Sequence, residues 1–335
     1  MKIAIHDRKN SFSEEWIEVC KEKSIPYKVV NCYDNDIVEQ VSDCSVLLWH
    51  HHHANPKDLL FARQLLSSLQ QAGKTVFPDH NTGWHFDDKA GQKYLLEALG
   101  LPLVPTTIFY SKDAATKWAN AVSFPKVFKL RGGAGSFNVK LMKDRQQALK
   151  YINIAFGKGF STFFGWSGFT ERIRKYRKGQ VGINEVFKGA ARMIYPPKYA
   201  KTAGREQGYI YFQEFIPEND CDIRVVVMGD KAIAIKRQVR DGDFRASGSG
   251  MIVYDKNQIP EECVKLSFEA NEKLQSQCTA FDFVFLDGKP LIVEISYGFS
   301  YKSYKDCPGY WDSSLNWHDA EIEIGKWIIE SVLKN

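Results

Sequence analysis

The chain has 335 residues, 44% hydrophobic and 25% charged, with a net charge of +5 and a pI of about 8.6. That balance is ordinary for a globular protein of two or three structural units, and its mild positive charge suits an anionic nucleotide without demanding nucleic acid. The seven cysteines are scattered without a C-x-x-C pair, which argues against a disulfide framework or a zinc site, and no apolar run is long enough to span a membrane.

The N-terminus reads as a short strand, Ile3–Ile5, rather than a signal peptide, so a cytoplasmic location is expected. An amphipathic helix over Ser13–Lys23 follows, then a strand at Tyr27–Val30 and a buried strand at Ser45–Trp49. A helix over Pro56–Ala72, closed by Gly73, leads to a strand at Thr75–Phe77. Strands alternating with helices predict a parallel sheet with right-handed crossovers. No G-x-G-x-x-G follows any of these strands, so the segment is not an obvious dinucleotide domain. The run His50–His53 follows the buried strand, at the end of a parallel sheet where ligands bind. A solvated loop is the expected reading, and contact with an acidic substrate is the alternative.

An irregular connector, Asp79–Asp88, ends where Asp87 or Asp88 caps a helix over Lys89–Leu99 that Gly100 stops. Leu101–Phe109 is a Pro-punctuated entry into a strand. Phe124–Leu130 and Phe137–Met142 flank Arg131–Ser136, predicting a hairpin with a glycine-rich tip. Ala155–Phe169, rich in Gly and aromatics, and the basic stretch Glu171–Gly179 read as an insertion or mobile lobe. Beyond it lie strands at Tyr209–Ile216, Ile223–Met228 and Lys231–Gln238, and a helix at Cys263–Gln277. A hairpin of Thr279–Leu286 and Pro290–Ile295 turns at Asp287-Gly288, and Ala320–Leu333 is a closing helix.

Four constellations carry chemistry. Small residues from Gly132 to Ser136 let backbone N–H groups approach an anion, and Lys129 precedes them by three positions; a plain turn would look the same. The apolar strand ending in Gln213-Glu214-Phe215-Ile216, with Asp222 eight residues after Glu214, offers an adenine slot with a ribose acceptor; a solvated edge strand is the alternative. Asp282 and Glu294 lie within apolar strands flanking a tight turn, so they can face each other across the ladder. Two hard oxygen ligands there, joined by phosphates, describe a magnesium site; the rival account is that both lie on a solvent-facing side or pair with Lys or Arg. Arg237 and Arg245 could stabilise a transferring phosphoryl group or form a solvated basic face. The aromatic segment Tyr297–Trp317 reads as packing around the core, with a stacking platform for a sugar as the alternative.

In this order, these segments resemble the ATP-grasp superfamily, most closely the glutamate ligases that extend ribosomal-protein tails and the wider group related to glutathione synthetase. The similarity runs from about Trp84 to Pro308. Asp88-Lys89 with its helix, and Leu-Pro…Val-Pro-Thr after it, resemble the entry to the family's small lobe. The segment ending in Lys129, with its glycine loop, resembles the triphosphate-covering hairpin, and Gln213-Glu214-Phe215-Ile216 the adenine hinge. Asp222 resembles the ribose-side acid, Arg237 and Phe244-Arg245-Ala246-Ser247 the elements near the phosphates, and Asp282 with Glu294-Ile295-Ser296 the metal ligands. The family's two Asn positions are Ser247 and Ser296 here, which are shorter and poorer ligands.

The resemblance implies an α/β ATP-grasp fold behind an N-terminal parallel-sheet domain, with boundaries at 1–83, 84–208 and 209–335. It implies ATP as cofactor with one or two magnesium ions, or manganese. Lys89, Lys129, Gly132, Gly133, Gly135, Ser136 and Ser247 would contact phosphates, and Gln213, Glu214, Phe215, Ile216 and Asp222 the nucleoside. Asp282, Glu294 and Ser296 would hold metal, and Arg237 and Arg245 would act in catalysis. The implied activity is ATP-dependent ligation of a small-molecule or saccharide-linked carboxylate to an amine, with no membrane or nucleic-acid partner and with homo-oligomerisation left open. The alternatives are a small-molecule kinase, a nucleotide-binding module weakened at Ser247 and Ser296, and an RNA-binding protein using Arg172–Lys178.

Overall fold

The computed structural model describes residues 1–53, 55–133, 138–161, 173, 176, 182–194, 204–240, 244–245 and 250–334. It divides into two compact units: Met1–Val104 with Ile216–Asn335, and Pro105–Phe215.

The first unit opens with a four-stranded parallel sheet of β1 (Ile3–His6), β2 (Tyr27–Val30), β3 (Val46–Leu48) and β4 (Thr75–Phe77), in the order β2-β1-β3-β4. The strands read as near-continuous apolar runs because this sheet is covered on both faces. Helix α1 (Phe12–Glu22) starts where the Ser11 side chain accepts the Ser13 N–H, and α3 (Pro56–Gln71) where Asn55 accepts the Lys57 N–H. A short α2 (Ile37–Gln40) lies between β2 and β3. After β4, α4 (His80–Gly83) is capped by Asp79, and α5 (Lys89–Ala98) by Asp88, whose carboxylate accepts the Gly91 N–H.

The same unit holds a seven-stranded antiparallel sheet. Its strands are β11 (Cys221–Met228), β12 (Lys231–Gln238), β13 (Ile252–Val253), β14 (Cys278–Leu286), β15 (Lys289–Ser296), β16 (Gly309–Asp312) and β17 (Trp317–Asp319). They run in the order β15-β14-β11-β12-β16-β17, with β13 paired to β12. Helix α9 (Glu261–Leu274) and the C-terminal α10 (Ile324–Lys334) flank it. The β14–β15 hairpin turns at Asp287 and Gly288, both at positive φ (51° and 76°), as a tight Asp-Gly turn requires.

Side-chain alternation sorts this sheet into two apolar faces. Ile223, Val225, Val227, Phe281 and Phe283 pack with α9 and Leu96 of α5. Val226, Met228, Ile233, Ile235 and Ala280 join Ile3, Ile5, Phe12 and Trp16 in a core shared with the parallel sheet. Tyr297, Phe299, Tyr301 and Tyr304 belong to that core and are buried, so the aromatic segment after β15 packs inward and these rings offer no sugar platform.

The His50–His53 run departs from the expected solvated loop. His50 and His51 are only 5% and 4% exposed. The cause is the aromatic roof over the end of β3: Phe12 stacks on His50 at 3.9 Å, and Phe86 and Tyr297 pack edge-on against His51. Tyr297 also donates its hydroxyl to the His51 carbonyl.

The second unit is built on an antiparallel sheet of β5 (Thr106–Phe109), β6 (Lys126–Lys129), β7 (Val139–Met142) and β10 (Ile210–Glu214), in the order β5-β10-β6-β7. One face carries Phe128 and Phe212 onto α6 (Lys112–Ala121) and α7 (Arg145–Ala155), with Trp118 stacked on Phe212 at 4.7 Å. A two-stranded ribbon, β8 (Phe160–Ser161) and β9 (Arg205–Glu206), and α8 (Ile183–Ile194) complete the described part. Most of the basic stretch Glu171–Gly179 lies outside the described residues.

Candidate active site

The second apolar face of the large sheet turns charged toward one end. Asp222 stands opposite Arg237 in register, Arg224 opposite Asp282, and Asp282 opposite Glu294. Because 222 and 224 point to the same side of β11, these residues form one charged row across β12, β11, β14 and β15. The spacing predicted the Asp282–Glu294 apposition; a register shift just after Asp282 accompanies it.

The row is tightly paired. Arg224 donates two hydrogen bonds to Asp282, at 2.5 and 2.6 Å, and Arg237 donates two to Asp222, each 2.6 Å. Arg237 also lies 3.0 Å from Asp282. Two guanidinium groups against two carboxylates leave the buried cluster neutral, and bidentate geometry offsets the cost of desolvation. Burial would raise Asp282, but Arg224 and Arg237 outweigh it and hold this carboxyl below the ordinary range. Asp222 has one guanidinium instead of two, and burial raises it. Both Asp222 oxygens are engaged by Arg237, so in this arrangement they are not free ribose acceptors. Arg224, which sequence reasoning passed over, is the second cation of the cluster; its place two residues from Asp222 on an alternating strand was the available signal.

Glu294 is engaged separately. Lys89, the first residue of α5 and 4% exposed, approaches its Oε1 at 3.0 Å. Burial works to lower the Lys89 ammonium, but the carboxylates of Glu294, Asp87 and Asp88 more than offset it and raise it. The sequence thus brings Lys89, Asp282 and Glu294 to one region of the first unit. Ser296 ends β15 and its hydroxyl accepts the Gly298 N–H at 3.1 Å.

The two carboxylates are hard oxygen donors on adjacent strands, and the Glu294 side chain keeps 30% exposure. Glu294 fits a magnesium ion that arrives with a nucleotide, whereas Asp282, both of whose oxygens are engaged by Arg224 and Arg237, would have to exchange a guanidinium contact to join it. No group of three or more His, Cys, Asp or Glu that could hold a metal occurs among the described residues. Magnesium is commonly held by one or two carboxylates plus phosphates, so a sparse protein set is what that mode needs.

In the second unit, β6 places Lys126 and Lys129, each 6% exposed, on opposite faces of the sheet. Lys126 is in register with Glu214 and donates to both its oxygens, at 2.5 and 2.6 Å. Lys129 is in register with Tyr211, on the same face as Val127 and Gln213. Gln213 is fixed by its amide donating to Thr106 Oγ1 at 3.1 Å. Phe215 and Ile216 follow the end of β10. Gly132 and Gly133 follow β6, Gly133 with a φ of 113° that favours glycine; Gly135 and Ser136 lie outside the described residues. Arg245 is described, its guanidinium 5.8 Å from the Phe244 ring centre, whereas Ser247 lies outside the described residues.

Comparison with known proteins bears on the fold. Residues 198–305, which carry the charged row, match the RimK-like ATP-grasp domain family. The chain is similar over its whole length to solved structures. One is a RimK domain ATP-grasp protein from Sphaerobacter thermophilus, with a TM-score of 0.58 and 15% identity over 99% of this chain and 100% of that one. The chain has an ATP-grasp fold. A D-alanine–D-alanine ligase from Bacillus anthracis, complexed with ATP, has a TM-score of 0.59 and 14% identity over 100% of this chain and 97% of the other. For the N5-carboxyaminoimidazole ribonucleotide synthetase of Thermotoga maritima the values are 0.56, 13%, 99% and 75%. No curated sequence matches the chain.

Proposed function

We propose that this ATP-grasp protein is an ATP-dependent carboxylate–amine ligase. The observation that carries the reading is the Lys89–Glu294 pair beside the Asp282 cluster. A buried ammonium and a half-exposed carboxylate at 3.0 Å can each exchange the other for a partner from MgATP, Lys89 taking a phosphate oxygen and Glu294 the metal. The fold shared with a D-alanine–D-alanine ligase complexed with ATP supports the same direction.

In this reading the substrate carboxylate attacks the γ-phosphorus of ATP, forming an acyl phosphate and releasing ADP. The amine then attacks the acyl carbon, phosphate leaves, and loss of the amine proton gives the amide. Catalysis is positioning plus electrostatics, with no covalent enzyme intermediate. Lys89 and Lys129 neutralise phosphate charge, Gly132 and Gly133 leave room for backbone N–H groups to approach it, and Gln213, Glu214, Phe215 and Ile216 serve the nucleoside. Asp282 and Glu294 would hold magnesium, which when bound would offset triphosphate charge. Arg237 and Arg224 fix Asp282 in place, and Arg237 and Arg245 are the candidates for the transferring phosphoryl group.

The test is ADP release from MgATP with pooled amino acids, uronic acids and other small carboxylates, using hydroxylamine as the amine. ADP together with a hydroxamate is the expected result. A stable phosphorylated product without hydroxamate would make the protein a kinase, and nucleotide binding without turnover in every pool would make it a binding module.

A further inference from the structure

The order β2-β1-β3-β4 places a topological switch point between β1 and β3, where the chain leaves the two strands in opposite directions. In open α/β sheets the crevice at the carboxyl ends of such strands is where ligands bind. The residues there are Arg8, two beyond the end of β1, and His50, two beyond the end of β3. They are joined directly, for an Arg8 terminal nitrogen donates to the His50 carbonyl at 3.1 Å.

Hydrogen-bond accounting shows what this place lacks. His50 Nδ1 accepts the Phe12 N–H at 3.2 Å, so the neutral ring carries its proton on Nε2. That N–H is buried in a side chain 95% removed from solvent and has no acceptor. Arg8 Nε is a second buried donor without an acceptor. Neither Arg8 nor the neighbouring Arg63, whose charge reaches His51, has a carboxylate within ion-pair distance among the described residues. The nearby acid, Asp58, is already committed to the His52 N–H, the Asn55 amide and the Tyr33 hydroxyl. Buried donors cost free energy until an acceptor meets them.

We propose that Arg8 and His50 form a subsite for the carboxylate of a small-molecule substrate, a reading that names the acid-binding place of the ligase proposed above. A guanidinium edge and a neutral imidazole N–H match one carboxylate, with its single charge and two acceptor oxygens, better than a doubly charged phosphate. The subsite is electrostatically continuous with the proposed reaction centre: the next histidines lead from His50 to His53, which feels the charges of both Lys89 and Glu294. The histidine run thus leads along the chain from the Arg8 contact to a ring that the Lys89 and Glu294 charges reach.

Ligand-observed NMR on the full chain tests this. The probes are pools of amino acids, uronic acids and dicarboxylates, their methyl esters, and inorganic phosphate, each with and without MgATP. At least one acid is expected to bind the wild-type protein and its ester to fail. Arg8→Gln should weaken that acid at least tenfold, and Arg8→Lys by less, with the nucleotide affinity of both variants unchanged as a check that they are folded. Equal acid binding by Arg8→Gln overturns the subsite. So does Arg8-dependent binding of phosphate with no acid bound, or the absence of any bound acid in a protein that binds MgATP. Arg8-dependent acid binding without hydroxamate formation supports the subsite and removes the ligase reading.

Discussion

Arg224 and Asp282 face each other in register across β11 and β14, and their side chains meet through two parallel hydrogen bonds. Asp282 is buried while the Arg224 side chain keeps 22% exposure, and the pair is joined to Asp222 through Arg237, which contacts both aspartates. Removing one anion from a neutral buried group leaves its cations uncompensated. Asp282→Asn should therefore destabilise the first unit by about 3–5 kcal/mol, the usual cost of breaking a buried pair. Urea denaturation of the variant measures it. A midpoint equal to the wild type would show that the row contributes nothing to folding.

Glu294 differs from Asp282 because its side chain is 30% exposed and held by one cation. Glu294→Gln keeps the shape, leaves Lys89 a hydrogen-bond acceptor and leaves the Asp87 and Asp88 charges to compensate the ammonium, so the fold should persist. Magnesium-dependent turnover should fall by about 100-fold or more, consistent with losing several kcal/mol of charge stabilisation at a metal site. Substituting Lys89→Met should raise the KM for MgATP and leave the protein folded. Unchanged turnover in Glu294→Gln would sink the metal assignment.

The fold was legible wherever a local signal agreed with tertiary need. The alternating strands and helices before Phe77, the Asp287-Gly288 turn and the Asp282–Glu294 apposition all follow from period and turn chemistry. What the sequence hid was pairing between distant elements. Nothing in Lys126 foretells that it meets Glu214, since the contact depends on β10 inserting between β5 and β6. The burial of His50 was hidden for the same reason: polar rings in a run resemble a solvated loop until Phe12, Phe86 and Tyr297 close over them. Asp222 read as a free acceptor because its partner, Arg237, lies fifteen residues away and is brought opposite only by the β11–β12 register.

That burial makes stability depend on pH. Burial lowers His50 well below its ordinary value, His51 to about 3 and His85 to about 4, with the charges of Arg8 or Arg63 adding to it. The unfolded chain titrates these rings near pH 6.5, so below that pH it binds protons the folded chain refuses, and stability falls as pH falls. His52 and His53, both lowered to about 4 chiefly by burial, add to these three, so five groups give a slope of up to ~7 kcal/mol per pH unit between about pH 6.5 and 4. The depressed Asp282 adds a loss of the same sign only below its unfolded value of about 3.9. Urea midpoints at pH 7.5, 6.5 and 5.5 measure this, with the steep fall expected between the last two. A flat profile across that interval would mean the rings are protonated in the native state.

Gly298 tests how closely the histidine run is roofed. A Cβ at this position would lie 2.5 Å from Phe86 Cε2 and 2.6 Å from Cζ, and Phe86 is itself packed against Tyr297 at 4.6 Å and His51 at 5.3 Å. The ring has no free direction, so one added methyl must displace the packed group rather than a flexible tip. Gly298→Ala should cost about 1–3 kcal/mol, as overpacking of a filled core does. Phe86→Leu alone should also destabilise, but in the double variant the shorter side chain gives the methyl room. The combined loss should then be smaller than the sum of the two single losses by about 0.5 kcal/mol or more, the coupling expected of residues in direct contact. Strict additivity in a thermal or urea series would mean that Gly298 is constrained by something other than Phe86.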